Sequence, residues 1–277
     1  MTVLNAIDAQ NERTITRYQW LTLVSAFLGW ALDSMDLNLF TLVFVPSVSE
    51  LTQTTNPAII AQIGSLILAI KLACWGIGGV IFGVVADRIG RAKTMVITIL
   101  IYAIFTGLGG LAQTWQQLAL LQAGAGIGIG GEWAAGAALV AETWPEKHRA
   151  RAMQIMQMAF AFGFFLAAFC NLLLGPISWR WVLAAGALPA FVSLLVRHYV
   201  PEPERWLNVR HAQNETQAKG ALAAGFETFA AIFSPDLRRR TIVGVLVASA
   251  MMIGCWGGLA LLAKLDTAHG TRIGVSE

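Results

Sequence analysis

The stretch IIAQIGSLILAIKLACWGIGGVIFGVV, residues 59–85, decides the fold. It holds a single ionisable residue, Lys71, and shows no alternation of period two. Crossing a hydrocarbon core of about 30 Å takes roughly 17–25 helical residues, so the stretch spans a bilayer as a helix rather than as a barrel strand. It gives way to ADRIGRAK, residues 86–93, where charge returns within a few positions. Working outward, six further stretches read as spans: Trp20–Val45, Thr94–Leu111, Gln117–Ala141, Ala152–Gly175, Trp181–Val200 and Ile242–Ala263. Pro46, Pro57, Pro145, Pro176 and Pro201 fall at span ends, where a missing N–H does least harm.

Composition agrees. Of 277 residues 56% are hydrophobic and 13% charged, and the mean hydropathy is +0.63. Soluble domains carry about 25% charged residues, so a disordered chain, a nucleic-acid-binding domain and a water-soluble enzyme are excluded. A net charge of +3 is too small to imply a polyanionic partner. Cys74, Cys170 and Cys255 are odd in number and lie in apolar runs, which predicts small buried hydrophobes rather than disulfides. Residues 1–17 hold Asp8, Glu12, Arg13 and Arg17 without an apolar stretch, so the first span is expected to act as its own uncleaved insertion signal.

Lys and Arg set the orientation. All nineteen except Arg180, Lys264, Arg272 and the intramembrane Lys71 fall in the N-terminal segment, the turns after spans 2 and 4, or the region after span 6. The positive-inside rule then puts the N-terminus in the cytoplasm and, with seven spans, the C-terminus outside. Asn214-Glu215-Thr216 matches a glycosylation sequon but lies on the cytoplasmic side, away from that machinery.

An ionisable residue at mid-bilayer costs about 2.5–3.5 kcal/mol on insertion scales, so each needs a reason. Four qualify: Asp33, Asp36, Lys71 and Glu132. Asp33 and Asp36 are three apart, which predicts one shared helix face, with Asn38 following. Two carboxylates so placed in a low dielectric repel, and the pair is expected to retain a proton, as a proton-coupled carrier requires. The plainer alternative is that Asp33 hydrates the mouth of a cavity. Lys71 is either an ion-pair partner of one Asp or a counter-charge for an anionic substrate. Glu132 either takes protons or accepts hydrogen bonds from a neighbouring helix.

The run GAGIGIGG, residues 124–131, contains a formal G-x-G-x-x-G. No strand precedes it, so it predicts close helix packing rather than a dinucleotide site. No metal-ligand spacing, nucleophile elbow or phosphate loop occurs; no cofactor and no covalent chemistry are expected.

Residues 83–93, Gly83-Val84-Val85-Ala86-Asp87-Arg88-Ile89-Gly90-Arg91-Ala92-Lys93, resemble the G-x-x-x-D-R-x-G-R-[RK]-[RK] turn of the major facilitator superfamily, with Ala92 off the basic pattern. Trp30–Asp36 in span 1 and Gly126–Trp133 in span 4 are similar to the proton-coupled metabolite carriers: sialate, lactate/pyruvate and aromatic-acid symporters. Pro201–Leu207, PEPERWL, resembles the linker motif of sugar and organic-acid porters. Two positions depart: Gln122 stands where the span 4 motif has an Arg linked to proton transfer, and Pro203-Glu204 replaces Ser-Pro.

The resemblance implies an all-α polytopic membrane protein: a major-facilitator-type six-helix N-terminal bundle, built as a 3+3 inverted repeat, plus a seventh helix. The parts are a cytoplasmic segment 1–17, the bundle 18–200, a cytoplasmic linker 201–241, the seventh helix 242–263 and a polar tail 264–277. It implies a gating turn at Gly83, Asp87, Arg88, Gly90 and Arg91, whose Asp contacts the second half in the family. The span 4 motif is Gln122, Gly126, Gly128, Gly130 and Gly131. A proton and substrate cavity is expected at Asp33, Asp36, Asn38, Lys71 and Glu132, since this repeat places spans 1, 4 and 7 around the cavity. The expected activity is proton symport of a small organic anion (a monocarboxylate, sialic acid or aromatic acid) by alternating access in the inner membrane. Partners are then that anion, a proton and the bilayer. Asp36→Asn is expected to abolish pH-driven uptake.

The family has twelve spans, so a chain ending after the seventh would carry half of the cavity. The alternative is therefore a truncated or frameshifted half-transporter without activity, or one whose other half is supplied in trans. An antiporter is disfavoured because span 5 lacks the family's G-x-x-x-G-P-x-x-G-G pattern. A seven-helix receptor or retinal protein fits the span number but keeps its N-terminus outside, against the charge distribution.

Overall fold

The computed structural model describes residues 15–191 and, apart from residues 236 and 248, 233–250. Two compact units divide within the expected linker. The first holds α1 (Arg17–Thr52), α2 (Pro57–Ile89), α3 (Arg91–Gly109), α4 (Trp115–Thr143), α5 (Glu146–Leu174), α6 (Trp179–Ala184) and a 3-10 turn, Ala185–Ala187.

Local chemistry sets the helix ends. Thr16 and Gln19 form a reciprocal capping box at the start of α1. Asn56 accepts from the Ala58 N–H, and Pro57 opens α2, where its missing N–H would have no helical partner. Gly90, at φ 113°, is the one residue between α2 and α3. An L side chain rarely adopts that backbone, which explains the glycine in the turn. Thr114 and Ser178 cap α4 and α6.

The expected spans overlie α1 to α5, whose ends differ from them by one to seven residues, with two instructive differences. Pro46 lies inside α1, which runs on to Thr52 and stops at Gln53 in the left-handed region. The sixth span opens at Trp179 but breaks into the 3-10 turn at Ala185–Ala187 before helix resumes at residues 189–191. In the second unit, residues 237–247 are helical, so the helix reaches back into the stretch expected to be linker. The N-terminal segment up to residue 14, Pro201–Leu207, the sequon, Cys255 and the polar tail lie outside the described residues.

Packing follows the inverted repeat. The first helix of each three-helix repeat lies on the second helix of the other, α1 on α5 and α4 on α2. A Cβ on Gly78 would strike the Ile127 carbonyl, and one on Gly126 or Gly130 would strike those of Lys71 or Trp75. The glycine run is thus a backbone-to-backbone crossing of α2 and α4, as expected of small residues in membrane helices. Outward faces are apolar: Ile77, Val80 and Ile81 on α2, and Phe162, Phe165, Phe169 and Leu172 on α5 are exposed. Among the described residues α1, α2, α3 and α5 are long and apolar enough to cross a membrane. Helix α4 is 29 residues long but diluted by glycine and Glu132, and it is enclosed by α1, α2 and α3. Cys74 and Cys170 are free and half-buried rather than fully buried.

Candidate functional site

The four intramembrane ionisable groups meet in the middle of the first unit. Asp33 and Asp36 lie midway along α1, Lys71 midway along α2 and Glu132 on α4. Their exposure is 0–1%, so they form a sealed interior cluster rather than a lining open to solvent. Asn38 is half-buried; its amide donates to the Ser34 carbonyl at 2.7 Å. The Ser34 hydroxyl donates to the Phe160 carbonyl on α5 at 2.6 Å.

The two aspartates do not act as one face. Residues three apart on a helix differ by about 60° around its axis, enough to meet different neighbours. Asp36 Oδ2 accepts from Lys71 Nζ at 3.0 Å, and the same ammonium donates to the Asp36 carbonyl at 3.1 Å. Lys71 is therefore an ion-pair partner of Asp36. Asp33 turns instead towards Glu132 and the Tyr102 hydroxyl on α3. No hydrogen bond of ordinary length and angle satisfies either oxygen of Asp33, either oxygen of Glu132 or the hydroxyl of Tyr102. Glu132 is pressed against α1, since its carboxylate occupies the place a Cβ on Gly29 would take. The carboxylate facing Asp33 most closely is thus Glu132, not the expected Asp36.

Sequence reasoning missed Tyr102 and Thr106. Tyr102 was findable as one of three tyrosines in the chain, in the middle of an apolar run. Thr106, its hydroxyl unpartnered, packs with Gly186 beside Asp36. Gln122 is buried with both amide atoms unpartnered, next to Gly109. Gly128 and Gly131 serve packing, against Tyr102 and Phe82 respectively. An aromatic ledge joins the buried Trp30 to the exposed Trp133 and the half-buried Phe160, with rings 5.6–6.3 Å apart.

At the α2–α3 turn, Arg91 pairs with Asp87 at 2.9 Å and with Glu142 at the end of α4 at 2.7 Å. Its Nη1 donates to the Ala86 carbonyl. Gly83 faces open space, and Arg88 Nη2 is buried without a partner. The opposite end carries a second tie. Trp179 Nε1 donates to Glu50 Oε2 at 2.6 Å, and Arg180 donates to Glu50 Oε1 at 2.9 Å. Arg180 also donates to the Gly110 and Ala112 carbonyls. The Trp179 hydrogen bond, the largest effect, together with Arg180 holds the Glu50 carboxyl below the ordinary glutamate range, against the opposing effect of burial.

A profile of the Major Facilitator Superfamily matches residues 20–275. The chain belongs to the major facilitator superfamily. It is 36% identical to a putative metabolite transport protein of Haemophilus influenzae, over 69% of this chain and 46% of that protein. It is 30% identical to a probable 4-methylmuconolactone transporter of Cupriavidus pinatubonensis, over 88% and 54%. The sialic acid transporter NanX of Escherichia coli is 29% identical over 70% and 47%. The proton:xylose symporter XylE superposes with a TM-score of 0.64 at 22% identity, over 71% of this chain and 48% of that one. The chain spans about half the length of the curated relatives it matches. Superfamily members of this kind are membrane transporters of metabolites and organic acids, not enzymes.

Proposed function

We propose that this chain forms the N-terminal bundle of a proton-coupled symporter for a small organic anion. The observation that carries the reading is the sealed cluster of three carboxyls and one ammonium at the middle of the bundle. Intramembrane ionisable groups mark proton and substrate paths, because burying them without a function is costly. Relatives named for a muconolactone, cis,cis-muconate, benzoate, niacin and sialic acid support an organic anion as the substrate. The aromatic ledge of Trp30, Trp133 and Phe160 suits a planar unsaturated acid.

In this reading the chain sits in the inner membrane with its N-terminus in the cytoplasm. A proton enters from outside and loads the acid cluster, the anion binds at mid-membrane, and the bundle rocks to release both inside. Asp87, Arg91 and Glu142 hold the cytoplasmic turn during that motion, with Gly90 as its joint.

The test is external pH in lightly buffered cells on adding muconate, benzoate, nicotinate, lactate or sialic acid, with immunoblotting of the membrane fraction. Alkalinisation present in the wild type and absent in Asp33→Asn is expected. Asp36→Asn is a poorer probe than the sequence implied, since it strands the buried Lys71 ammonium. No pH change with any of these acids, with the protein present in the membrane fraction, would overturn the reading.

A further inference from the structure

The buried cluster contains more acid than its one cation balances. Lys71 donates to both the side chain and the carbonyl of Asp36, which assigns its charge to that residue. Asp33 and Glu132 remain, facing each other across the contact of α1 with α4. The groups around them come from every neighbouring element. Helix α1 supplies Asp36, α2 supplies Lys71, and α3 supplies the Tyr102 hydroxyl. Helix α5 presents Met156 near Glu132, and Gly186, beyond α6, lies against Asp36. No cation among the described residues faces Asp33 or Glu132.

An acidic cluster alone would not make a site. The second observation is Tyr102, fully buried, its hydroxyl lacking a hydrogen-bond partner and directed at Asp33. Five polar atoms thus lie together unsatisfied: four carboxyl oxygens and one hydroxyl. Buried polar groups are almost always paired, so four carboxyl oxygens with a single hydroxyl donor among them imply a missing donor. One proton supplies it. A protonated carboxyl donates to its neighbour, and the hydroxyl donates to an oxygen still open.

We propose that Asp33 and Glu132 bind the transported proton jointly, as an acid–carboxylate pair with Tyr102 as its third member, while Asp36 and Lys71 are a fixed ion pair. This rests on the proton-symport reading for the word "transported" but not for the pair itself. Gly29 lets Glu132 press against α1, so the proton sits in the seam between the first helices of the two repeats. Loss of the proton leaves two like charges in that seam, which repel and part α1 from α4. The proton enters from one aqueous side and leaves to the other, and no bond other than O–H is made or broken.

The test is pH-difference infrared spectroscopy on the purified full chain, following the carbonyl stretch of a protonated carboxyl. One such band is expected to titrate in the wild type. Asp33→Asn and Glu132→Gln should each shift its midpoint to lower pH by about one unit or more, a tenfold loss of proton affinity. Tyr102→Phe should move the band's frequency, and the double variant Lys71→Met/Asp36→Asn should keep it. A midpoint untouched by either Asp33→Asn or Glu132→Gln, or a band lost in the double variant, overturns the proposal. Thermal unfolding of each sample confirms that the variants are folded. The band is read without substrate or gradient, so a shared proton in a chain that takes up nothing refutes symport alone. Proton-coupled uptake without the shared band refutes the pair alone.

Discussion

The middle of the bundle and its two ends use the same residue types to opposite effect. At one end Arg91 bridges Asp87 and Glu142, and at the other Glu50 accepts from both Trp179 and Arg180. Each of these carboxylates is at least partly exposed and accepts from a cationic donor. In the middle, Asp33 and Glu132 are sealed and matched to nothing but each other and Tyr102. A satisfied ion pair ties helix ends together and does little else. An unsatisfied acid pair responds to a proton. On the proposed reading the contrast separates scaffold from machinery within one bundle, and each prediction below tests a side of it.

The largest effect is expected at Lys71. Lys71→Met strands Asp36 in the interior and should cost about 3–5 kcal/mol of stability, with most of it restored in Lys71→Met/Asp36→Asn. Thermal unfolding in detergent reads both, and a single variant as stable as the double would break the ion-pair assignment. Next comes the α2–α4 crossing: Gly126→Val drives side-chain atoms into the Lys71 carbonyl and should cost about 1–3 kcal/mol by the same measurement. Asp33→Asn or Glu132→Gln should do the reverse of ordinary core mutations above the pH at which the pair loses its proton. There each removes the repulsion of two like charges, so the protein should gain about 1 kcal/mol while pH-driven uptake is lost, a trade-off typical of functional sites. Loss of both stability and uptake would move these residues to the scaffold side.

The smallest effect belongs to Glu50. Its pKa is depressed in the folded protein, so its stabilisation is full above the ordinary glutamate range and fades as pH falls through the lowered value. The side chain is half-exposed, and screening limits the gain to under about 1 kcal/mol. Glu50→Gln should therefore flatten the acid side of the stability profile without touching uptake.

Much of the architecture was legible in the sequence because bilayer spans advertise themselves by length and apolarity, and α1 to α5 lie where those runs are. The glycine run was legible as packing for the same reason: nothing else about residues 124–131 suits a ligand. What escaped was set by tertiary neighbours. Spacing of three put Asp33 and Asp36 on one face, yet the modest angle between them was enough for α2 to take one and α4 the other. Tyr102 escaped because a single polar group in an apolar run acquires meaning only from what another helix brings to it. The break at Ala185–Ala187 escaped because Ala-Gly-Ala is compatible with continued helix, and here it packs Gly186 against Thr106.

Gly90 is a hinge with no slack. One residue separates two helices of 33 and 19 residues, so any tilt of α2 passes undamped into α3, and through Arg91 into α4. The joint also works as a phase setting. Adding one residue there would turn α3 by about 100° about its own axis and carry Tyr102 off the acid pair. A one-residue turn at the end of the bundle thereby meters the geometry of the acid pair at its middle.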